Sequence, residues 1–377
     1  MQPSVRHITA FVTLVVLIGC GESPLGSDTF NAGALPVDTA CLAVSTAEFG
    51  TSGAVSWLNT DTGEVNRGVT TTHHDASLRR AGNDLVVLNR LGADNLQWLD
   101  PNQALRTRQQ LALPAGSNPW DYVQRGDRAI VAGYGRGELF VLERTSGVWA
   151  LNATVSLRDW ADVDGNAEPA RLLLQGDTLL VLLQRLEGFT CGNTGAVLAL
   201  DWSTLAPANR FAGSPTVDLG VCNPTAFVLG EDGDLYVSAA GVFRAVAPSF
   251  GVPVEDDGGV VRVTRSSGAT ELLFSESDFD ADPLSIERGP AGSLWILLSD
   301  AEAAVSVHRL NGGPPLADSL AEGQSIFDVE VQATYIWVAD RSVTRPGLRA
   351  VAHDGTTLVD VVDVGLPPVE LLPFACP

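Results

Sequence analysis

Apolar and polar positions along this chain recur in groups. A turn residue followed by proline opens a short apolar stretch, most stretches then turn at Gly or Asp, and a second apolar strand follows. The openings read Asn118-Pro119-Trp120-Asp121, Glu168-Pro169-Ala170-Arg171, Asn223-Pro224-Thr225-Ala226, Asp282-Pro283-Leu284-Ser285 and Leu366-Pro367-Pro368-Val369. The second strands fall at 128–132, 178–183, 234–238, 293–298 and 334–339. The interval is roughly forty to fifty residues, the period of strand-built repeat arrays. A four-stranded repeat of this length that closes on itself is an all-β propeller, whose strands run outward from a central channel in the order a, b, c, d.

Six complete blades are expected at 75–114, 118–157, 168–219, 223–274, 282–320 and 325–364. The two ends supply the rest. Residues 368–372 look like an inner strand a with nothing after it, and 41–46, 54–59 and 64–69 look like strands b, c and d with nothing before them. Joined, they make a seventh blade in which both termini close the ring and leave no free sheet edge. The count is seven, with six and eight as the alternatives. This closure pairs the cysteines. Cys376 follows the last strand a and Cys41 opens the first strand b, so a bond between them replaces the missing a–b turn. Cys191 in one b–c loop and Cys222 at the start of the next blade share a face and form the second pair. Free buried thiols are the alternative.

The first residues read as a targeting segment. Arg6 and His7 precede an apolar run, 8–18, too short to span a membrane, which ends in Leu17-Ile18-Gly19-Cys20. That ending resembles the lipobox of bacterial lipoproteins. The resemblance implies removal of residues 1–19, lipidation of Cys20 and attachment to a membrane by acyl chains without a span. Gly21 at the next position, in place of the aspartate that favours inner-membrane retention in enteric bacteria, points to the outer membrane. Residues 20–38, rich in Gly, Ser, Pro and Asp, read as a flexible tether, and 39–377 as the propeller.

Composition narrows the chemistry. The net charge is -22, which argues against nucleic acid or an anionic lipid surface as partner. All 23 basic residues are arginine, which excludes Schiff-base chemistry, a P-loop and a lysine base. With Cys20 lipidated, an even number of cysteines remains, as suits an exported chain. No serine elbow, nucleotide-binding glycine motif or Gly-His…Trp-Asp blade signature occurs.

Glu231-Asp232-Gly233-Asp234-Leu235-Tyr236-Val237 and Gly289-Pro290-Ala291-Gly292-Ser293-Leu294-Trp295-Ile296 resemble the turn-and-strand of NHL, YVTN and lactonase-like propellers. In those families the turn glycines and strand-b aromatics are structural. The d–a connections and b–c loops share one face, called the top here, where propeller ligands usually bind. The long segments 158–167, 185–195, 206–222 and 241–258 are expected on it. Its mouth is expected to carry His73, His74, Asp75, Asn118, Asp121, Glu168, Asn223, Asp282 and Asp328. Two readings of this ring stand side by side. Convergent carboxylates and amides suit Ca²⁺, and the resemblance to lactonase-like propellers implies a Glu/Asn/Asp set such as Glu168, Asn223 and Asp282 around a divalent metal. Alternatively, Asn, Asp and Glu before proline simply start strand a through turn hydrogen bonds. Residues 162–168 resemble part of a calcium loop but lack its terminal carboxylate at Arg171 and read as a solvated acidic loop. His308 and His353 are placed on c strands outside the mouth, which argues against a multi-histidine metal centre.

The sequence therefore points to a lipid-anchored envelope propeller that binds a protein or glycan through its top face. The alternatives are a metal-dependent, lactonase-like hydrolase or lyase, and a structural member of an outer-membrane complex.

Overall fold

The computed structural model describes residues 27–32, 35, 41–82, 84–188, 190–245, 256–310 and 320–376. Cys20 and the targeting segment lie outside these residues. Seven four-stranded antiparallel sheets form a closed propeller. Blade 1 joins the termini: Pro368–Phe374 is strand a, and Cys41–Glu48, Ser52–Asn59 and Glu64–Thr72 are b, c and d. The inner strands of blades 2 to 7 are Ala76–Ala81, Pro119–Arg125, Pro169–Gln175, Pro224–Leu229, Asp282–Arg288 and Ile326–Val331.

The second strands are mostly apolar and deeply buried because neighbouring blades cover both faces. Thr178–Leu183, Leu294–Ser299 and Tyr335–Asp340 are buried at every position. Trp295 and Trp337 on these strands are completely buried and serve the core. Outer strands are largely exposed, as in Val148–Ser156. The a–b turn of blade 5 needs Gly233 at φ +82, where Asp232 Oδ1 also accepts the Asp234 N–H.

The proline openings have a common backbone geometry. In every blade but the second, the pairing of strands a and b skips one residue near the top of strand a. The skipped residues are Val369, Trp120, Ala170, Thr225, Leu284 and Phe327. All but Phe327 directly follow a proline, which cannot donate to the ladder and sits at a strand start or bulge. A bulge re-aims its side chain, and these six stand around the upper rim of the channel. The residue after strand b closes the motif by donating its N–H to the residue before strand a. The pairs are Arg90 to Asp75, Gln184 to Glu168, Ala240 to Asn223 and Arg341 to Ser325, and in blade 1 Ala47, one residue before the end of strand b, donates to Pro367, all at 2.8–3.2 Å.

Both expected disulfides are present, Cys41–Cys376 and Cys191–Cys222. The first closes a loop of 335 residues in sequence separation, worth about 6 kcal/mol on the chain-entropy account before any native-state strain.

Two expectations change. Part of the tether region is structured: Ser27–Thr29 pairs with Glu64–Asn66 as a fifth strand on blade 1, and Phe30 meets Trp337 edge-on at 5.8 Å. Residues 206–215, expected on the top, belong to the c–d connection of blade 4 and lie on the opposite face. Strand d there is only Thr216–Asp218, and Phe211 anchors the connection in the core at 3% exposure.

Candidate functional site

The top face collects exposed apolar side chains. Among the described residues, nine large hydrophobic side chains are exposed: Phe49, Leu91, Val148, Leu151, Val163, Phe243, Leu272, Phe327 and Val343. Six of them, Phe49, Leu91, Val163, Phe243, Phe327 and Val343, lie on b–c loops, a d–a connection or the upper end of strand a. The other three lie on outer strands d. Scattered exposed hydrophobics need no explanation, but a concentration on one face marks a binding surface.

Two aromatic–arginine stations organise the mouth. In blades 2 to 4, Arg90 lies 4.3 Å above the Trp120 ring, and Trp120 stacks on Tyr134 at 4.4 Å with the planes 27° apart. Asp75 holds the other side of Arg90 in an ion pair. The Tyr134 hydroxyl donates to Gln184 Oε1 at 2.7 Å, and Gln184 Nε2 donates to the Pro224 carbonyl at 3.0 Å. The result is a continuous arc from Asp75 to blade 5. In blades 7 and 1, Arg341 lies 4.2 Å from the Phe49 ring and 4.9 Å from that of Phe327. Burial pushes Arg341 down to about 10, and its donors reach the carbonyls of Ala47, Pro367 and Pro368. Trp120 and Phe327, the two aromatic bulge residues, stand in blades 3 and 7, on opposite sides of the ring. Tyr134, Arg90, Arg341, Phe49 and Phe327 escaped the sequence reading. The regular bulge position after Pro was the one signal that could have singled out Trp120.

The expected site residues divide among three settings. His73, His74, Asp75 and Asn118 are at the mouth. The two imidazoles lie 4.0 Å apart, and burial followed by the charge on His73 lowers the pKa of His74. Asn118 Oδ1 accepts the Leu91 N–H at 3.2 Å. Glu168 is 5% exposed, with Oε2 accepting the Leu186 N–H at 3.1 Å, and burial pushes its pKa up to about 8. Asn118, Glu168 and Asn223 all have left-handed φ, +44, +42 and +49. Asn tolerates this conformation, whereas Glu168 adopts it at a cost of roughly 1–2 kcal/mol.

Asp121 and Asp328 lie within the inner strands and join blades to one another. Asp121 Oδ2 accepts the Leu172 N–H at 2.6 Å, and Oδ1 takes Arg79 and the Tyr122 N–H. Asp328 Oδ2 accepts the Leu371 N–H at 2.7 Å, and Glu370 Oε2 accepts the Leu78 N–H at 2.5 Å. Glu370 also pairs with Arg79 at 2.5 Å. Carboxylates thus stitch the channel wall across blades 7, 1, 2, 3 and 4. Burial pushes Glu287 up to about 7 and Glu330 up to about 8, the latter also raised by Asp328.

Asn223 and Asp282 belong to the junction of blades 5 and 6. Asn223 Nδ2 donates to the Gly241 carbonyl at 3.0 Å, and Asp282, completely buried, accepts the Arg244 N–H at 2.7 Å. Beside them sits Glu276, unanticipated from sequence, in the one-turn helix Glu276–Phe279 and also completely buried. Burial pushes Glu276 up to about 8 and Asp282 up to about 6. The hydrogen bonds of Glu168 and Asn223 thus run into the b–c turns of their own blades, and that of Asp282 into the b–c loop of the preceding blade. Among the described residues, the one group of three His, Cys, Asp or Glu side chains with ligating atoms within 4.8 Å of one another is Cys191, Cys222 and Asp257. Glu168, Asn223 and Asp282 are each engaged by backbone groups of a b–c loop, and no metal chemistry is derived from them. The calcium-like loop is a run of Asx turns, Asp162 to Asp164 to Asn166 to Glu168, each side-chain oxygen taking an N–H two residues on. His308 lies on a c strand as expected, whereas His353 lies just past one, in the c–d turn; both are clear of the mouth, and the His353 ring is 4.8 Å from that of Trp295 at a tilt of 48°.

No protein-family model and no curated protein matches this chain. Solved structures do. A periplasmic gluconolactonase of Pseudomonas aeruginosa superposes with a TM-score of 0.62 at 16% identity, covering 89% of this chain and 99% of its own. A 6-phosphogluconolactonase-like protein of Bacteroides fragilis gives 0.60 at 13% identity, covering 89% and 98%. A Lactobacillus plantarum protein gives 0.59 at 16%, covering 88% and 98%. The chain has the seven-bladed fold of these lactonase-like propellers, and identity this low carries the fold alone.

Proposed function

We propose that this protein is a cell-envelope propeller that binds a glycan across the mouth of its channel. The observation that carries this is the pair of aromatic–arginine stations, Trp120 with Arg90 and Phe327 with Arg341, raised on bulges at opposite sides of the rim. Aromatic faces take up the apolar faces of sugar rings, while arginine and amide groups bond hydroxyls and acids. The remaining exposed hydrophobics of the top face extend the surface. In this reading, the chain is held to the membrane by lipid on Cys20, with the outer membrane its destination. No helix among the described residues is long and apolar enough to span a membrane. The test is a glycan array probed with the wild-type chain and a Trp120→Ala/Phe327→Ala double variant. Binding of defined glycans that the double variant loses supports the proposal. Failure to bind any glycan, with capture of an envelope protein instead, would move the reading to a protein partner. Mass spectrometry of the membrane fraction checks the lipid on Cys20.

A second reading, hydrolysis of a sugar lactone, draws on Glu168. This carboxyl is buried at the mouth, burial pushes its pKa up to about 8, and its backbone is held in a strained conformation, features that suit a group moving a proton. Turnover of gluconolactone by the wild type, lost in Glu168→Gln, would support it. Equal rates in both would dismiss it.

A further inference from the structure

The b–c loops of blades 4 and 5 meet beside the Cys191–Cys222 bond, and Asp257 is held against that bond by its surroundings. The Asp257 carbonyl accepts the Cys222 N–H at 2.7 Å, and its own N–H donates to Glu276 Oε2 at 3.0 Å. Its Oδ1 accepts the Val242 N–H at 3.1 Å. Its Oδ2 lies 3.1 Å from Cys191 Sγ. A disulfide sulfur has no proton to donate, so this contact gains nothing while the pair is oxidised. A thiol would donate to the carboxylate, and a cation would be shared by both. Glu276 and Asp282 are completely buried close by, and Arg244 is the cation paired with Asp282 there.

We propose that the reduced Cys191 and Cys222, together with Asp257, form a binding site for a divalent cation of the zinc class. Two thiolates and one carboxylate supply three ligands and leave a fourth position for water. The oxidised pair offers no thiolate, so the site is gated by redox state. Opening the disulfide takes two electrons and two protons from a dithiol reductant, which leaves as its own disulfide. The cation then displaces the two thiol protons into solvent. Glu276 acts as a positioning residue, fixing Asp257 through its backbone N–H.

The test uses the full chain with Co²⁺ as probe, since thiolate-to-cobalt charge transfer reports sulfur ligation directly. After anaerobic reduction with dithiothreitol and its removal, one Co²⁺ should bind per chain with a charge-transfer band that Zn²⁺ abolishes. The oxidised chain should show none. Asp257→Asn, which keeps the size of the side chain, should weaken binding at least about tenfold. A Cys191→Ser/Cys222→Ser variant should lose the band even though Cys41 and Cys376 remain. An absent band in the reduced wild type would overturn the proposal, as would an equal band in the double variant. Circular dichroism guards the fold. Loss of the strand signal on reduction that Zn²⁺ does not restore would overturn it equally, because the three ligands meet only in the folded chain.

Discussion

The rim and the wall of the channel are built from the same seven inner strands, yet they carry opposite chemistry. At the rim, the bulge residues include two aromatics, Trp120 and Phe327, and Phe327 is 46% exposed. One or two residues further in, Asp121, Asp328 and Glu370 have carboxylate oxygens engaged with N–H groups of the next blade, and Arg79 lies between two of them. Wall side chains hold the ring together, so they are not available to a ligand. Rim side chains stack on one another, Trp120 half-buried between Arg90 and Tyr134 and Phe327 exposed beside Arg341. Position along a strand, not residue type, separates architecture from candidate function.

The strongest way to break this comparison is at the wall. Asp121→Ala leaves Arg79 short of a partner and the Tyr122 and Leu172 N–H groups unsatisfied. It should destabilise the fold by about 3–5 kcal/mol while sparing glycan affinity in whatever fraction remains folded. Denaturant unfolding with a parallel binding titration measures both. At the rim the expectation reverses. Trp120→Ala should weaken glycan binding roughly thirtyfold, as loss of a central aromatic anchor does. Its effect on stability should be near 1 kcal/mol, from the lost stacking. Comparable losses of stability at both positions would erase the distinction.

The wall should also respond to pH. Glu287 and Glu330 have folded-state pKa values raised to about 7 and about 8, so the folded chain holds protons that the unfolded chain has released. Stability contributed by these groups is present below the ordinary carboxylate range and declines as pH rises from about 4.5 to about 8. Glu330→Gln should therefore melt with the wild type at pH 4.5 and above it at pH 9. A constant difference across that range would mean that Glu330 does not titrate there. The smallest effect is expected far from both regions. Leu272→Ser, on an exposed outer strand, should change stability by no more than about 0.5 kcal/mol and leave binding intact.

Much of the architecture was legible because it is local or repeated. The Pro-led openings marked the bulged starts of strand a, and the unpaired strands at the two ends required a closing blade with Cys41 against Cys376. Where local pattern was thin, the reading slipped. The c–d connection of blade 4 was assigned to the wrong face because its strand d is three residues long. Ser27–Thr29 carries no strand pattern and joins the sheet by edge pairing with blade 1. Among the candidate site residues, Asp75 and Glu168 stand at the mouth because each directly precedes strand a. Asp121 and Asp328 were found by type, but they brace the wall.

The order of strands, the count of blades and the closure follow from the chain's own periodicity, since each blade repeats a short-range pattern of turns and apolar runs. The composition of the mouth does not. Phe49, Phe327 and Arg341 come from opposite ends of the chain, and Cys191, Cys222 and Asp257 from two blades. Nothing in the neighbours of any one of these residues announces the others. They meet because closing the ring brings the loops of successive blades together, and contacts of that range exist only once the whole propeller has formed.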